Sequence, residues 1–136
     1  EYDGIVLARA GLDRLNMIDI DKYNYEFFET SEFVPAPCQG IIAVENRADD
    51  GDIRDVLKAI NYMETYVCFA ERAFLKAMDS GCQTPLGAIS EIGEKSLKME
   101  CFYYKDKIVK MSIEGENPVL TAAVLAKKLK EVTNEW

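Results

Sequence analysis

A cysteine on a sharp turn is the residue of this chain best suited to covalent chemistry. Cys82 follows Gly81 and shortly precedes Pro85, within the run AERAFLKAMDSGCQTPLGA at residues 70–88. Glycine adopts positive φ angles that other residues avoid, and proline prevents the preceding helical pattern from continuing. We therefore expect a turn between a helix and a strand that presents the thiol outward. A thiol held in this way is a soft nucleophile, although a single cysteine taken alone is more typical of an inert surface or half-buried residue.

An arginine near the start of the chain is the second candidate. The segment DGIVLARAGLDRL, residues 3–15, contains an apolar run typical of a buried strand, followed by the first turns of a helix. The beginning of a helix favours negative charge, and the guanidinium of Arg14 can form paired hydrogen bonds with a carboxylate. Taken alone, Arg14 is more typical of a solvated helix arginine, paired with a nearby acid such as Asp13 or Asp19, than of a ligand-binding residue.

The elements that must position these residues change character near residue 50. Acidic and aromatic residues without a period fill 17–33, then VPAPCQG (34–40) precedes an apolar strand pattern, IIAVE, and a polar boundary, NRADDGD (46–52). Apolar residues at helical spacing then predict two amphipathic helices, each of which packs one face inward. Alternation predicts three strands, AISEI, SLKMECFYY and KIVKMSIE. Asn117 and Pro118 predict the start of a last helix. The predicted fold class is α+β, a small antiparallel three-stranded sheet covered by helices, preceded by strand and helix pieces of α/β domains.

Composition excludes several classes of protein. The chain has 136 residues, 49% hydrophobic, with no histidine and a net charge of -8, which disfavours nonspecific binding to nucleic acid or anionic lipid. Apolar runs are too short to span a membrane, and the acidic start is unlike a signal peptide, so we expect a soluble, cytoplasmic protein. The four cysteines are irregularly spaced without a CxxC pair, which argues against a metal site and favours reduced thiols.

Three of the segments quoted above are DGIVLARAGLDRL, VPAPCQG with IIAVE, and AERAF with its Gly-Cys turn and proline. They resemble segments of hydroxymethylbilane synthase, the porphobilinogen deaminase family of tetrapyrrole biosynthesis. The resemblance covers the C-terminal part of a family member only. It implies that residues 1–50 are a remnant of the central and N-terminal α/β domains and that residues 51–136 are the cofactor-attachment domain. It also implies a transferase that condenses porphobilinogen units by deamination into linear hydroxymethylbilane, on a covalently attached dipyrromethane cofactor.

The resemblance assigns cofactor-binding roles to five residues and a catalytic role to none. Cys82 would carry dipyrromethane through a thioether, Arg14 would bind its carboxylates, and Ala8 would let the backbone approach it. Gln39 and Gly40 would form a demanding bend beside it, although a purely structural turn between domains is an equal expectation for that pair.

Four other residues receive no role in chemistry. Arg9 departs from the family pattern and is expected to be a surface charge, and Cys38 stands where the family commonly has glycine. Glu71 and Arg72 are adjacent on a helix and point in different directions, so we expect them to fix the helix against a neighbour rather than to act as an acid/base pair.

A chain confined to this part of the family would lack the family's catalytic aspartate and most of its arginines. We therefore expect the chain alone to be inactive, with Cys82 free, until it is joined by the missing N-terminal part. Residues 1–50 should expose apolar surface and self-associate or be partly disordered. Three alternatives stay open: a split enzyme that works when its other half binds, a noncatalytic module that binds an acidic pyrrole or a partner, and a redox protein.

Overall fold

Four helices and three strands follow one another along the described parts of the chain. The computed structural model describes residues 2–19, 21–60, 64–79 and 84–134. The elements are α1 (Arg9–Arg14), α2 (Gly51–Lys58), α3 (Glu64–Met78), β1 (Leu86–Ile92), β2 (Leu97–Tyr104), β3 (Ile108–Gly115) and α4 (Pro118–Thr133). Within these residues, no helix combines the length and apolar character needed to cross a membrane. The arrangement is α+β, as the sequence predicts.

The sheet is antiparallel throughout and has the strand order β1-β2-β3. Cys101 in the central strand lies opposite Ala88 of β1 and Met111 of β3. The predicted alternation along β2 is confirmed, because every second side chain points into the core. These inward residues are Leu97, Met99, Cys101 and Tyr103.

Helices α3 and α4 pack on each other and cover one face of the sheet. Their largest fully buried side chains are Phe74, Leu125 and Leu129. Burial of one such side chain contributes about 1.5–3 kcal/mol, so this layer accounts for much of the stability of the domain. The apolar period predicted for α3 is confirmed.

Helix α4 begins as predicted, but its buried face differs from the apolar stripe that its sequence predicts, which is Leu120, Val124, Leu125, Leu129 and Val132. The side chain of Asn117 accepts hydrogen bonds from the backbone N–H groups of Val119 at 3.1 Å and Leu120 at 3.0 Å. Three residues of that stripe are exposed. The small residues Ala122 and Ala126 are buried instead, on the face of the helix that packs against its neighbours. The exposed three are Leu120, Val124 and Val132, and the buried set is Thr121, Ala122, Leu125, Ala126 and Leu129.

The prediction of strands before residue 50 is wrong, and so is the prediction that α2 packs inward. Neither 2–8 nor 41–45 forms a strand, and Ile5 and Ile42 are 75% and 85% exposed. A strand needs a partner for its backbone groups, and no described residue pairs with these segments. Ile53 and Val56 of α2 are also exposed because no other described element packs extensively on that helix. The exposed apolar surface expected before residue 50 is confirmed.

Residues 31–38 nevertheless attach to the sheet. The Lys110 ammonium donates to the carbonyls of Ser31 and Glu32, each at 2.9 Å, and the N–H of Ala88 donates to the Pro35 carbonyl at 2.9 Å. A Cβ on Gly87 would lie 2.7 Å from the Val34 carbonyl oxygen, so only glycine permits this approach. The backbone of the edge strand β1 is therefore covered by the segment that leads to the predicted bend.

Candidate functional site

The helix that precedes Cys82 in the chain is present as predicted. Helix α3 ends at Met78, Asp79 adopts a positive φ of 52°, and β1 begins at Leu86. Cys82 itself lies outside the described residues. Its exposure and surroundings therefore stay a prediction.

Glu71 joins three separate parts of the molecule through one buried carboxylate. The side chain lies on α3 and is 4% exposed. Its two oxygens accept hydrogen bonds from the backbone N–H of Cys38 at 2.5 Å and from that of Ser90, on β1, at 2.8 Å. Burial raises the pKa of the carboxyl above its ordinary value of 4.5, and the two N–H donors oppose that rise. The expectation that Glu71 fixes the helix against a neighbour is confirmed, while Arg72 next to it is exposed.

The sequence did not reveal which groups Glu71 would bind. The one available signal is its position four residues after Val67, which places an acidic residue on the apolar face of α3. A carboxylate on such a face must find hydrogen-bond donors. Those donors come from residues 33 and 19 positions away in the chain, which no local pattern specifies.

The bend at residues 36–41 has the demanding backbone that its sequence predicts. Cys38 and Gly40 both have positive φ angles, 62° and 84°. Gln39 donates its N–H to the Ala36 carbonyl at 3.0 Å, and its side-chain oxygen accepts from the Ala36 N–H at 3.4 Å. No atom lies within 4 Å of a Cβ built on Gly40, so the backbone angle rather than crowding favours glycine there. Gln39 and Gly40 are exposed, which leaves room for a ligand beside the bend.

Ala8 and Arg14 lie at opposite ends of the short helix α1. Ala8 is its N-cap residue, with extended backbone angles and no side-chain cap, and Arg14 is exposed in the last turn. A rise of 1.5 Å per residue separates the two by about 9 Å along the axis. No other described helix or strand packs extensively on α1, and no hydrogen bond or ion pair of the described residues links Ala8 or Arg14 to Gln39 or Gly40.

The charges on α1 distinguish its two arginines. The Arg9 guanidinium forms an ion pair with Asp13 at 3.5 Å and lies 4.5 Å from the centre of the Phe27 ring. Arg9 is thus a surface charge with local partners, as expected. Within the described ranges Arg14 forms no ion pair, so the pairing with Asp13 or Asp19 that its sequence allows is not found there. Arg14 is the arginine of α1 whose guanidinium can still accept an anionic ligand.

Two descriptions of protein families match the chain in succession. Residues 1–55 match "Porphobilinogen deaminase, dipyromethane cofactor binding domain". Residues 65–133, half of the chain, match "Porphobilinogen deaminase, C-terminal domain", and they include α3 from its second residue, the sheet and α4. This chain belongs to the porphobilinogen deaminase family. The resemblance seen in the sequence is confirmed, and the family's cofactor is dipyrromethane.

Porphobilinogen deaminases from several bacteria are similar to the chain along most of its length. That of Clostridium novyi (strain NT) is 37% identical over 117 residues, 83% of this chain and 39% of that protein. That of Nostoc sp. (strain PCC 7120 / SAG 25.82 / UTEX 2576) is 39% identical over 120 residues, 88% of this chain and 34% of that protein. That of Clostridium perfringens (strain 13 / Type A) is 37% identical over 133 residues, 95% of this chain and 44% of that protein. The chain therefore spans less than half the length of these relatives.

Proposed function

We propose that this chain is the C-terminal, cofactor-carrying part of an enzyme that condenses porphobilinogen units into linear hydroxymethylbilane with release of ammonia. The observation that carries the proposal is the Glu71 bridge, which holds the bend containing Gln39 and Gly40 against α3. That helix directly precedes Cys82 in the chain. The bend with Gln39 and Gly40 is thus attached to α3, the helix that precedes Cys82 in the chain.

Cys82 has the role of tether in this proposal. Its sulfur forms a bond to the aminomethyl carbon of a pyrrole, and the amine leaves as ammonia with the thiol proton. The product is a thioether, which is stable enough to survive each later transfer. When bound, dipyrromethane supplies the pyrrole carbon onto which further units are condensed.

The other site residues bind and orient rather than react. The exposed Arg14 guanidinium, which pairs with no acid in the described part of the chain, is suited to an acetate or propionate substituent. Ala8 presents a small side chain at the uncapped start of α1, which lets a ligand approach the backbone. Gln39 and Gly40 hold an exposed bend open beside α3. These residues fit a ligand rich in carboxylates, in a chain whose net charge of -8 otherwise repels one.

We also propose that residues 1–50 and 51–136 belong to different domains of the complete enzyme. Among the residues that the structure describes, the buried apolar ones all lie from Ala70 onward, which supports an independent core for the second part. Residues 1–50 would then complete the sheets of domains contributed by the missing part. The cytoplasm is the proposed location, since the described cysteines Cys38, Cys68 and Cys101 are free thiols, as expected in a reducing compartment.

Porphobilinogen consumption by the complete protein tests this function. We expect activity in the complete protein, none in the 136-residue chain alone, and loss of activity in the complete protein with Cys82→Ser. Cys38→Gly is the matched control, because glycine accepts the positive φ at that position and no chemistry is assigned there. Full activity of Cys82→Ser would refute the proposal. Binding of the cofactor without any turnover of porphobilinogen by the complete protein would favour a noncatalytic module instead.

A further inference from the structure

Two thiols from distant parts of the sequence touch each other beside the bend. The Sγ atoms of Cys38 and Cys68 lie 3.9 Å apart, and the Cys38 sulfur is also 3.9 Å from the Cys68 carbonyl oxygen. Both side chains are half-buried and both cysteines are free. The separation is that of two sulfur atoms in contact without a bond.

Helix α3 holds this pair in place through two side chains on one face. Cys68 and Glu71 are three residues apart, so they lie next to each other on the helix surface. Glu71 accepts the backbone N–H of Cys38 at 2.5 Å, while Cys68 meets its sulfur. Cys38 is thus fixed at both backbone and side chain, and it keeps a positive φ of 62° that non-glycine residues rarely adopt.

We propose that Cys38 and Cys68 form a reversible disulfide when the protein meets a small disulfide such as oxidised glutathione, and that this bond locks the bend at residues 36–41 onto α3. One cysteine thiolate attacks the small disulfide and releases one reduced thiol. The other cysteine thiolate then attacks the mixed disulfide and releases the second. Two protein thiols are oxidised, one small disulfide is reduced to two thiols, and the two protons lost by the protein thiols are taken up by the two departing thiolates.

The geometry requires only a small movement. The two sulfurs must approach from 3.9 Å to a bond length of about 2.05 Å. Burial, together with the neighbouring Cys68, raises the pKa of the Cys38 thiol to about 11, so we expect slow formation at neutral pH. The bond would reinforce an attachment already made by Glu71, and it would restrict the bend that carries Gln39 and Gly40. It does not depend on the proposed function.

Peptide mapping after oxidation tests the inference on the complete protein. The reduced protein is incubated with oxidised glutathione, remaining thiols are alkylated, and peptides are separated without reduction. We expect a linked peptide pair containing Cys38 and Cys68 that has lost two hydrogen atoms. It should exceed the form with glutathione on both cysteines at least about tenfold, because the second thiol is held in contact. Cys38→Gly and Cys68→Ser should both abolish the linkage, and Cys101→Ser, which removes a buried core thiol, should leave it intact.

A second measurement is independent of any variant. Oxidation of the unaltered protein should raise its urea midpoint and slow proteolysis within residues 31–45, and a reducing agent should reverse both effects. Glutathione retained on Cys38 or Cys68 without a linkage between them would overturn the proposal. A linkage of either residue to Cys82 in place of the proposed pair would overturn it as well.

Discussion

Removal of the Glu71 carboxylate tests the physical argument for the site in its simplest form. We compare Glu71→Ala and Glu71→Gln in the 136-residue chain. Alanine leaves two N–H donors without an acceptor, one of them on the buried Ser90. Glutamine keeps one acceptor oxygen, but its NH₂ group faces the second donor. Both variants should therefore loosen the attachment of residues 36–41 to α3 and β1.

The magnitude follows from the two hydrogen bonds. Each bond to a charged group contributes about 1.5–3 kcal/mol, so the two together contribute about 3–6 kcal/mol. The burial that raises the pKa of this carboxyl opposes part of that contribution. We expect Glu71→Ala to lower the free energy of unfolding by about 2–4 kcal/mol and Glu71→Gln by about 1–3 kcal/mol. Against a typical domain stability of about 5–15 kcal/mol, either loss is readily measured.

Urea unfolding followed by circular dichroism gives the free energies, and amide hydrogen exchange locates the change. The Cys38 and Ser90 amides should exchange faster in both variants, while amides in the centre of α4 should change only with the global stability. Glu94→Gln is the matched control, because Glu94 is exposed and should shift stability by less than about 0.5 kcal/mol. Equal stabilities for Glu71→Ala and the unaltered chain, with unchanged exchange at Cys38, would refute this account of the bridge.

Three further predictions concern separate features. Arg14→Gln in the complete protein should slow cofactor loading about tenfold at limiting porphobilinogen, because it removes a charge-assisted hydrogen-bonded pair. Arg9→Gln should leave the loading rate unchanged, and equal rates for the two variants would contradict the role of Arg14. Cys38 should be alkylated about a hundredfold more slowly at pH 8 than a thiol with the ordinary pKa of 9.0, because burial and the neighbouring Cys68 raise its pKa to about 11. Its alkylation rate should still rise about tenfold between pH 9 and pH 10, and a plateau near pH 9 would exclude the shift. Phe74→Ala should lower the free energy of unfolding, measured in urea, by about 3–5 kcal/mol, and Ile42→Ala should lower it by less than about 0.5 kcal/mol. Similar decreases for the two variants would contradict the assignment of the core.

The sequence was informative where an element depends on its own neighbours. The alternation around Met99 and Cys101 and the apolar period around Phe74 predict a strand and a helix, because side-chain direction follows directly from backbone geometry. The cap at Asn117 is equally local. These features define the α+β domain in its main lines.

The sequence failed where structure depends on distant partners. Ile5 and Ile42 lie in segments with the apolar pattern of a strand, yet no described strand pairs with either segment. The hydrogen bonds of Glu71 and the contact between Cys38 and Cys68 join residues 19 to 33 positions apart, and no local pattern in the sequence indicates them. The resemblance to the family identifies candidate residues for the site, but it does not predict how these residues lie relative to one another in this chain.

The mass of the complete protein, measured intact, tests the central claim most directly. The account predicts an added mass equal to dipyrromethane that survives denaturation, maps to the peptide containing Cys82, and is absent from Cys82→Ser. It is expected to remain in Cys38→Gly. An adduct on another residue, or an active protein that carries no adduct at all, would contradict the account.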